Sequence, residues 1–218
     1  MPEATSTHYD KKYFSWQSSV GEFGGWANLT KFSSYLGQSD DVLDFGCGGG
    51  YLLKNLHCRK KIGIEPNAAA AEAAKKNGVE VYSCSRDVPD DYADKIISNN
   101  ALEHALHPLL ELETLYAKLK QRGRIIIVVP CESINYSFSP NDINHHLYTW
   151  SPMCLGNLLT EAGFSLIESK PYIHKWPPKY ASIAKYAGRT VFEAACRVYG
   201  RIARSWFQVR AIAEKQNA

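Results

Sequence analysis

The sequence predicts an α/β chain built on a doubly wound, mostly parallel sheet. Two observations predict it: short apolar runs alternate with helical stretches from residue 40 onward, and a glycine cluster separates the first such run from the first helix. A third, an acidic residue at the end of the second apolar run, bears on the ligand as well as on the fold.

The elements follow in order. VLDF (42–45) reads as a buried strand, and YLLKNLHC (51–58) as the helix after the glycines. KIGIE (61–65) is a second strand, and the alanine-rich NAAAAEAAKKNG (67–78) is a helix closed by Gly78. VEVYSC, ADKIIS and RIIIVVP supply three further strands, with a helix over 108–121 between the last two. CESINYSFSPNDINHH is polar and reads as a loop. Ser151 offers an N-cap with Pro152 at the first helical position, and Gly163 closes that helix. FSLIESKPYI and SWFQVRAIAEK are two closing strands around a helical insertion at about 178–204, which makes seven strands. Residues 1–38, rich in aromatics and glycine, precede the sheet as an N-terminal cap, and 39–218 form the main domain.

The 218 residues are 45% hydrophobic and 22% charged, which excludes a disordered chain. The six cysteines form no C-x-x-C pair and no zinc spacing, so a reducing, cytoplasmic setting is expected. The N-terminus lacks the pattern of a signal peptide, and no apolar run is long enough to cross a bilayer. The net charge of +3 hides an asymmetry: residues 1–169 carry 15 Lys+Arg against 20 Asp+Glu, whereas residues 170–218 carry 10 against 2.

VLDFGCGGGYLL places Asp44 at the end of a strand and Gly46, Gly48 and Gly50 at alternate positions before a helix. Glycines permit a sharp turn and a close backbone approach to a ligand. A dinucleotide fingerprint needs a third glycine where Tyr51 stands, and Asp44 would repel a phosphate, so a cationic ligand suits this turn better than a pyrophosphate.

The order strand, acid, D-x-G-x-G-x-G, helix, second acid resembles motif I of the class I S-adenosylmethionine (SAM) dependent methyltransferases over about residues 40–130. That resemblance implies a Rossmann-like seven-stranded sheet with the last strand antiparallel, and SAM as the cofactor. It implies that Asp44 supports the methionine end and that Gly46, Cys47, Gly48 and Gly50 pack against the donor. It also implies that Glu65, followed by Pro66, holds the ribose hydroxyls. Cys84 stands where the family often has an acid on the adenine, with Ser85 or Asp87 as the residues that would substitute, and Asn99 and Asn100 end the fourth strand facing the donor. Tyr13, Trp16 and Gln17 in the aromatic N-terminal segment are expected near the cofactor as part of a lid.

Methyl transfer to a hydroxyl needs a base for its proton, and His145 and His146 in NDINHHLYTW lie on the expected side, with His145 preferred. His104 in the L-E-H stretch is a third candidate. Some methyltransferases of small-RNA 2′-hydroxyls and ubiquinone precursors hold a divalent ion with E-x-x-E-H; Asn100 replaces the first ligand here, and no metal is expected. The expected acceptor is a small molecule, such as a sugar, a polysaccharide precursor or a secondary metabolite, methylated on oxygen, with nitrogen as the alternative. A non-catalytic SAM-binding protein and a nicotinamide-dependent oxidoreductase are the readings from other classes. The missing third glycine and Asp44 disfavour the oxidoreductase.

Lys185, Arg189, Glu193, Arg197 and Arg201 recur at every fourth residue along the inserted helix, a largely basic stripe that reads first as a solvated face with Glu193 paired to its neighbours, and otherwise as one able to meet an anionic membrane surface or an anionic substrate such as a nucleotide- or lipid-linked sugar. No nucleic-acid module accompanies the charge, so no nucleic-acid partner is expected.

Overall fold

Apolar side chains alternate between the two faces of each central strand, so the sheet is covered on both sides. The computed structural model describes residues 11–140 and 142–216, residues 11–19 by backbone alone. Its strands are β1 (Asp41–Phe45), β2 (Lys60–Ile64), β3 (Glu80–Tyr82), β4 (Ala93–Asn99), β5 (Leu119–Cys131), β6 (Ser165–Tyr172) and β7 (Phe207–Glu214). They form one sheet in the order β3-β2-β1-β4-β5-β7-β6. β1 to β5 pair in parallel, and β7 runs antiparallel to both β5 and β6, as expected from the resemblance. Ile125, Ile127 and Val129 of β5 point into the core on one face with Leu112, Leu115, Leu155 and Leu159. Ile126 and Val128 point into the other with Val42, Ile97, Leu53 and Phe32.

The helices are α1 (Lys11–Asn28), α2 (Tyr51–Asn55), α3 (Ala68–Lys76), α4 (Pro108–Lys118), α5 (Pro152–Glu161) and α6 (Tyr180–Ala203). Asn67 caps α3 by accepting from the Ala69 and Ala70 amides, and Ser151 caps α5 through the Cys154 amide. α2 is shorter than the predicted 51–58. Leu56 turns extended, and the Arg59 amide is already held by the Asp40 carbonyl beside β1.

α6 breaks at Gly188, whose φ of 75° is non-helical. The basic stripe predicted at every fourth residue therefore does not form one face. Each four-residue step also turns about 40° past a full revolution, so the row winds around the helix. Glu193 faces inward, and the half-buried Arg189 stacks 4.0 Å over Trp26; Lys185, Arg197 and Arg201 remain exposed.

α1 and two short 3₁₀ turns (Leu29–Lys31 and Ser33–Tyr35) form the segment before β1. Phe23 and Trp26 meet Phe192 of α6 at 5.6 and 5.2 Å between ring centroids. Gly25 sits so close to α2 that a Cβ there would lie 2.3 Å from the Tyr51 carbonyl oxygen. Gly25→Ala is expected to push α1 off α2 at a cost of about 1–3 kcal/mol, read by urea unfolding. An unchanged midpoint would show that the contact is not needed. Among the described residues, no helix is long and apolar enough to cross a membrane.

Candidate functional site

The strand order reverses between β1 and β4, and ligands of open α/β sheets bind at that point beyond the carboxyl ends of the strands. Asp44 is next to last in β1, and Glu65 directly follows β2. The Gly46 and Cys47 amides both bond the Ile64 carbonyl, which folds the glycine loop back over β2. Gly46, Gly48 and Gly50 all have positive φ, at 78°, 53° and 72°. Gly46 is doubly constrained, because a Cβ there would meet Ala101 Cβ at 2.3 Å.

Glu65 accepts from the Gly48 amide at 2.9 Å through one oxygen and from the Asn67 amide at 2.8 Å through the other. Each oxygen keeps a lone pair for a ligand hydroxyl, the geometry a vicinal diol requires. Pro66 links Glu65 to this cap. Burial raises the pKa of Glu65 despite the two amides. Asp44 is almost fully buried, and burial, followed by the nearby Glu65 charge, holds its carboxyl well above the usual range. Two acids whose charged forms are disfavoured make a site that gains by taking up a cation and repels a phosphate. This donor set fits SAM, whose sulfonium and ammonium are cationic and whose ribose supplies the diol. Cys47 is buried against Gly63, where a Cβ would lie 2.4 Å from its sulfur, so its part in the loop is packing.

At the end of β4, Asn100 takes a left-handed φ of 55°. The Lys31 ammonium donates to Asn99 Oδ1 at 2.9 Å and to Gln208 Oε1 at 3.0 Å, and Gln208 Nε2 donates to Asn100 Oδ1 at 2.9 Å. Lys31 is 3% exposed, and burial lowers its pKa to about 7. This lysine and glutamine escaped the sequence reading. Gln208, a polar residue inside an apolar strand, was the one available signal. The Ser85 hydroxyl is committed to Glu111 at 2.6 Å.

A second cluster lies just past β4. The 3₁₀ turn Leu102–His104 is pinned to the loop after β5, because the Glu103 carbonyl accepts from the Leu147 and Tyr148 amides. That pinning brings His146 against His104, with 5.0 Å between ring centroids. Glu103 is 0% exposed, and among the described residues neither carboxylate oxygen has a hydrogen-bond partner. Burial raises its pKa to about 8. His146 Nε2 and His104 Nε2 lie 3.8 and 3.9 Å from Glu103 Oε1, while His146 Nδ1 is 2.7 Å from Glu132 Oε1. His145, the residue preferred from sequence, is exposed with a φ of 49°, and its amide donates to Asp142. The structure thus brings His104 and His146 together with Glu103 and leaves His145 outside that cluster. Tyr13, Trp16 and Gln17 fall on α1, and their side chains lie outside the described residues.

A Rossmann-like sheet with a glycine turn and two buried acids at its switch point, and an acid–histidine cluster past β4, is the arrangement expected of a group-transfer enzyme of the class I SAM-dependent type. Residues 22–169 match the family model described as a methyltransferase domain, and the chain belongs to that family. An uncharacterised methyltransferase of Schizosaccharomyces pombe is 33% identical over 76 residues, covering 31% of this chain and 29% of the yeast protein. The chain thus matches under a third of that relative's length. Among solved structures, a SAM-dependent methyltransferase of Thermotoga maritima superposes with a TM-score of 0.68 at 18% identity, covering 96% of this chain and 97% of that one. The complex between the Haloferax volcanii Trm112 methyltransferase activator and its methyltransferase matches with a TM-score of 0.69 at 16% identity, covering 95% and 96%. These similarities carry the fold, and family membership displaces the nicotinamide reading.

Proposed function

We propose that this methyltransferase acts on a hydroxyl of a small molecule, such as a sugar, a polysaccharide precursor or a secondary metabolite, with His146 as the base. The observation that carries the reading is the Glu132–His146 pair at 2.7 Å, set beside the buried Glu103 past the end of β4. SAM supplies an electrophilic methyl on sulfur when bound, with Asp44 facing its cationic end and Glu65 its ribose diol. Glu132 accepts the Nδ1 proton of His146, which orients the ring and leaves Nε2 as the atom that takes the acceptor proton. In-line transfer asks for little else than alignment and a dry site.

Of the N-terminal segment expected as a cap, residues 1–10 lie outside the described residues; we propose that the remainder, up to residue 38, covers this site, held by the Gly25 contact. Weaker donor binding in Gly25→Ala would accompany its loosening. The central test is methyl transfer from labelled SAM to a panel of sugars and hydroxylated or amino metabolites. Transfer to oxygen supports the proposal; transfer confined to amines, or SAM binding with no transfer to any of them, counts against it.

One observation favours a second reading. Glu103, His104 and His146 offer ligand atoms that all lie within 4.8 Å of one another, and a buried carboxylate with no hydrogen-bond partner among the described residues calls for a proton or a cation. A divalent ion would fit these residues, with Glu132 behind His146 as its orienting carboxylate. On the metal-free reading, turnover is expected to persist in excess chelator. Loss of turnover, restored by added divalent ion, would transfer the role of this cluster from proton removal to acceptor binding at a metal.

A further inference from the structure

Residues 170–218 carry two acids, and neither offsets the surface charge of that segment. Glu193 is buried, with its carboxylate 3.4 Å from His174 and 3.9 Å from Arg189, and Glu214 pairs with Arg124 at 2.8 Å. The outer side of α6 beyond the Gly188 break is therefore cationic, with Arg197 and Arg201 exposed, and Lys185 is exposed before the break. The same face is also apolar. Val191, Val198 and Ile202 follow one another at helical spacing, Ile202 is 75% exposed, and Tyr186 and Trp206 are exposed at either end.

A second exposed apolar group lies at the end of the sheet where the chain returns from α6. The loop after β5 holds Ile134 and Phe138 at 99% and 92% exposure, with Tyr136 between them. The β5–β7 register pairs Cys131 with Phe207, so this loop and the Arg204–Trp206 turn leave the sheet at the same end. That end is the one that carries Glu132 and His146. Single exposed apolar residues are ordinary, but two such groups at one end of the sheet, one of them beside arginines, are a surface in want of a partner.

We propose that this surface docks on an anionic lipid bilayer, with α6 lying in the headgroup plane. The arginines meet lipid phosphates, while Val198, Ile202, Trp206, Ile134 and Phe138 enter the acyl boundary. A bilayer supplies negative charge and apolar depth together. A nucleic-acid backbone supplies the first and leaves these aliphatic side chains in water. Docking in this pose sets the mouth of the acceptor cluster at the membrane surface. The proposal stands on this face alone and does not depend on the acceptor being a hydroxyl.

The test is flotation of the full chain with vesicles of phosphatidylcholine, with or without phosphatidylglycerol. The protein is expected to float with the anionic vesicles at low salt, to stay behind with the neutral ones, and to be released as salt is raised. Arg197→Glu with Arg201→Glu, and separately Ile202→Ser with Trp206→Ser, should each lower the bound fraction about tenfold or more. Both exchanges lie at the surface, and an unchanged thermal melt verifies the fold. Absence of flotation with anionic vesicles, equal flotation with neutral ones, or flotation untouched by both double variants would overturn the proposal. So would a dimer in sedimentation that the Ile202→Ser, Trp206→Ser variant disperses, since a second copy would then occupy the face.

Discussion

Glu65→Ala is expected to weaken SAM binding about 100-fold or more while the chain stays folded, because two charge-assisted hydrogen bonds to a diol contribute about 1.5–3 kcal/mol each. The same change strands the Gly48 and Asn67 amides that now bond Glu65, so the glycine loop loses its anchor as well as its ligand contact. Asp44→Asn should cost a comparable factor by removing the charge that faces the donor's cationic end. The pH dependence has a definite sign. Burial and Glu65 raise the Asp44 pKa, so below that raised value the free site holds a proton that binding of a cation must expel. SAM affinity is therefore expected to rise with pH, by up to about tenfold per unit below that raised pKa, and the slope should flatten in Asp44→Asn. Calorimetry at several pH values reads both effects. Affinity independent of pH in the native chain, or native affinity in Glu65→Ala, would sink this view of the donor site.

His146→Ala is expected to lower kcat by about 10²–10⁴-fold with donor affinity unchanged, the usual range for losing a general base. Glu132→Gln should give a smaller loss, since the ring keeps its place but loses the carboxylate that stabilises its charged form. His145→Ala should turn over within about twofold of the native enzyme. A full rate in His146→Ala, or a large loss in His145→Ala instead, would return the role to the exposed histidine. A loss of donor affinity in His146→Ala would mark it as part of the donor site.

The two histidines show where sequence reading ended. Adjacent in the chain, they cannot be separated by composition or by motif, and both fall in a loop without periodicity. What separates them is a pair of amides: Leu147 and Tyr148 bond the Glu103 carbonyl and so turn His146, and not His145, toward Glu103. The basic stripe on α6 is a related case, legible as a four-residue repeat and misleading as a face. The Gly188 break and the drift of the repeat turn Arg189 and Glu193 inward, leaving Arg197 and Arg201 outside.

The α/β class, the glycine turn and the acid after β2 were determined by the sequence itself, because each rests on local physics: side-chain periodicity, positive-φ residues and caps, all expressed within a few positions of chain. The buried bridge from Lys31 to Asn99 and Gln208 joins residues 68 and 177 positions apart. The Glu103, His104 and His146 cluster depends on how one loop is tied to another strand's end. No local pattern encodes such pairings. Only the packed tertiary structure, in which burial sets both the partners and the charge states of these groups, decided them.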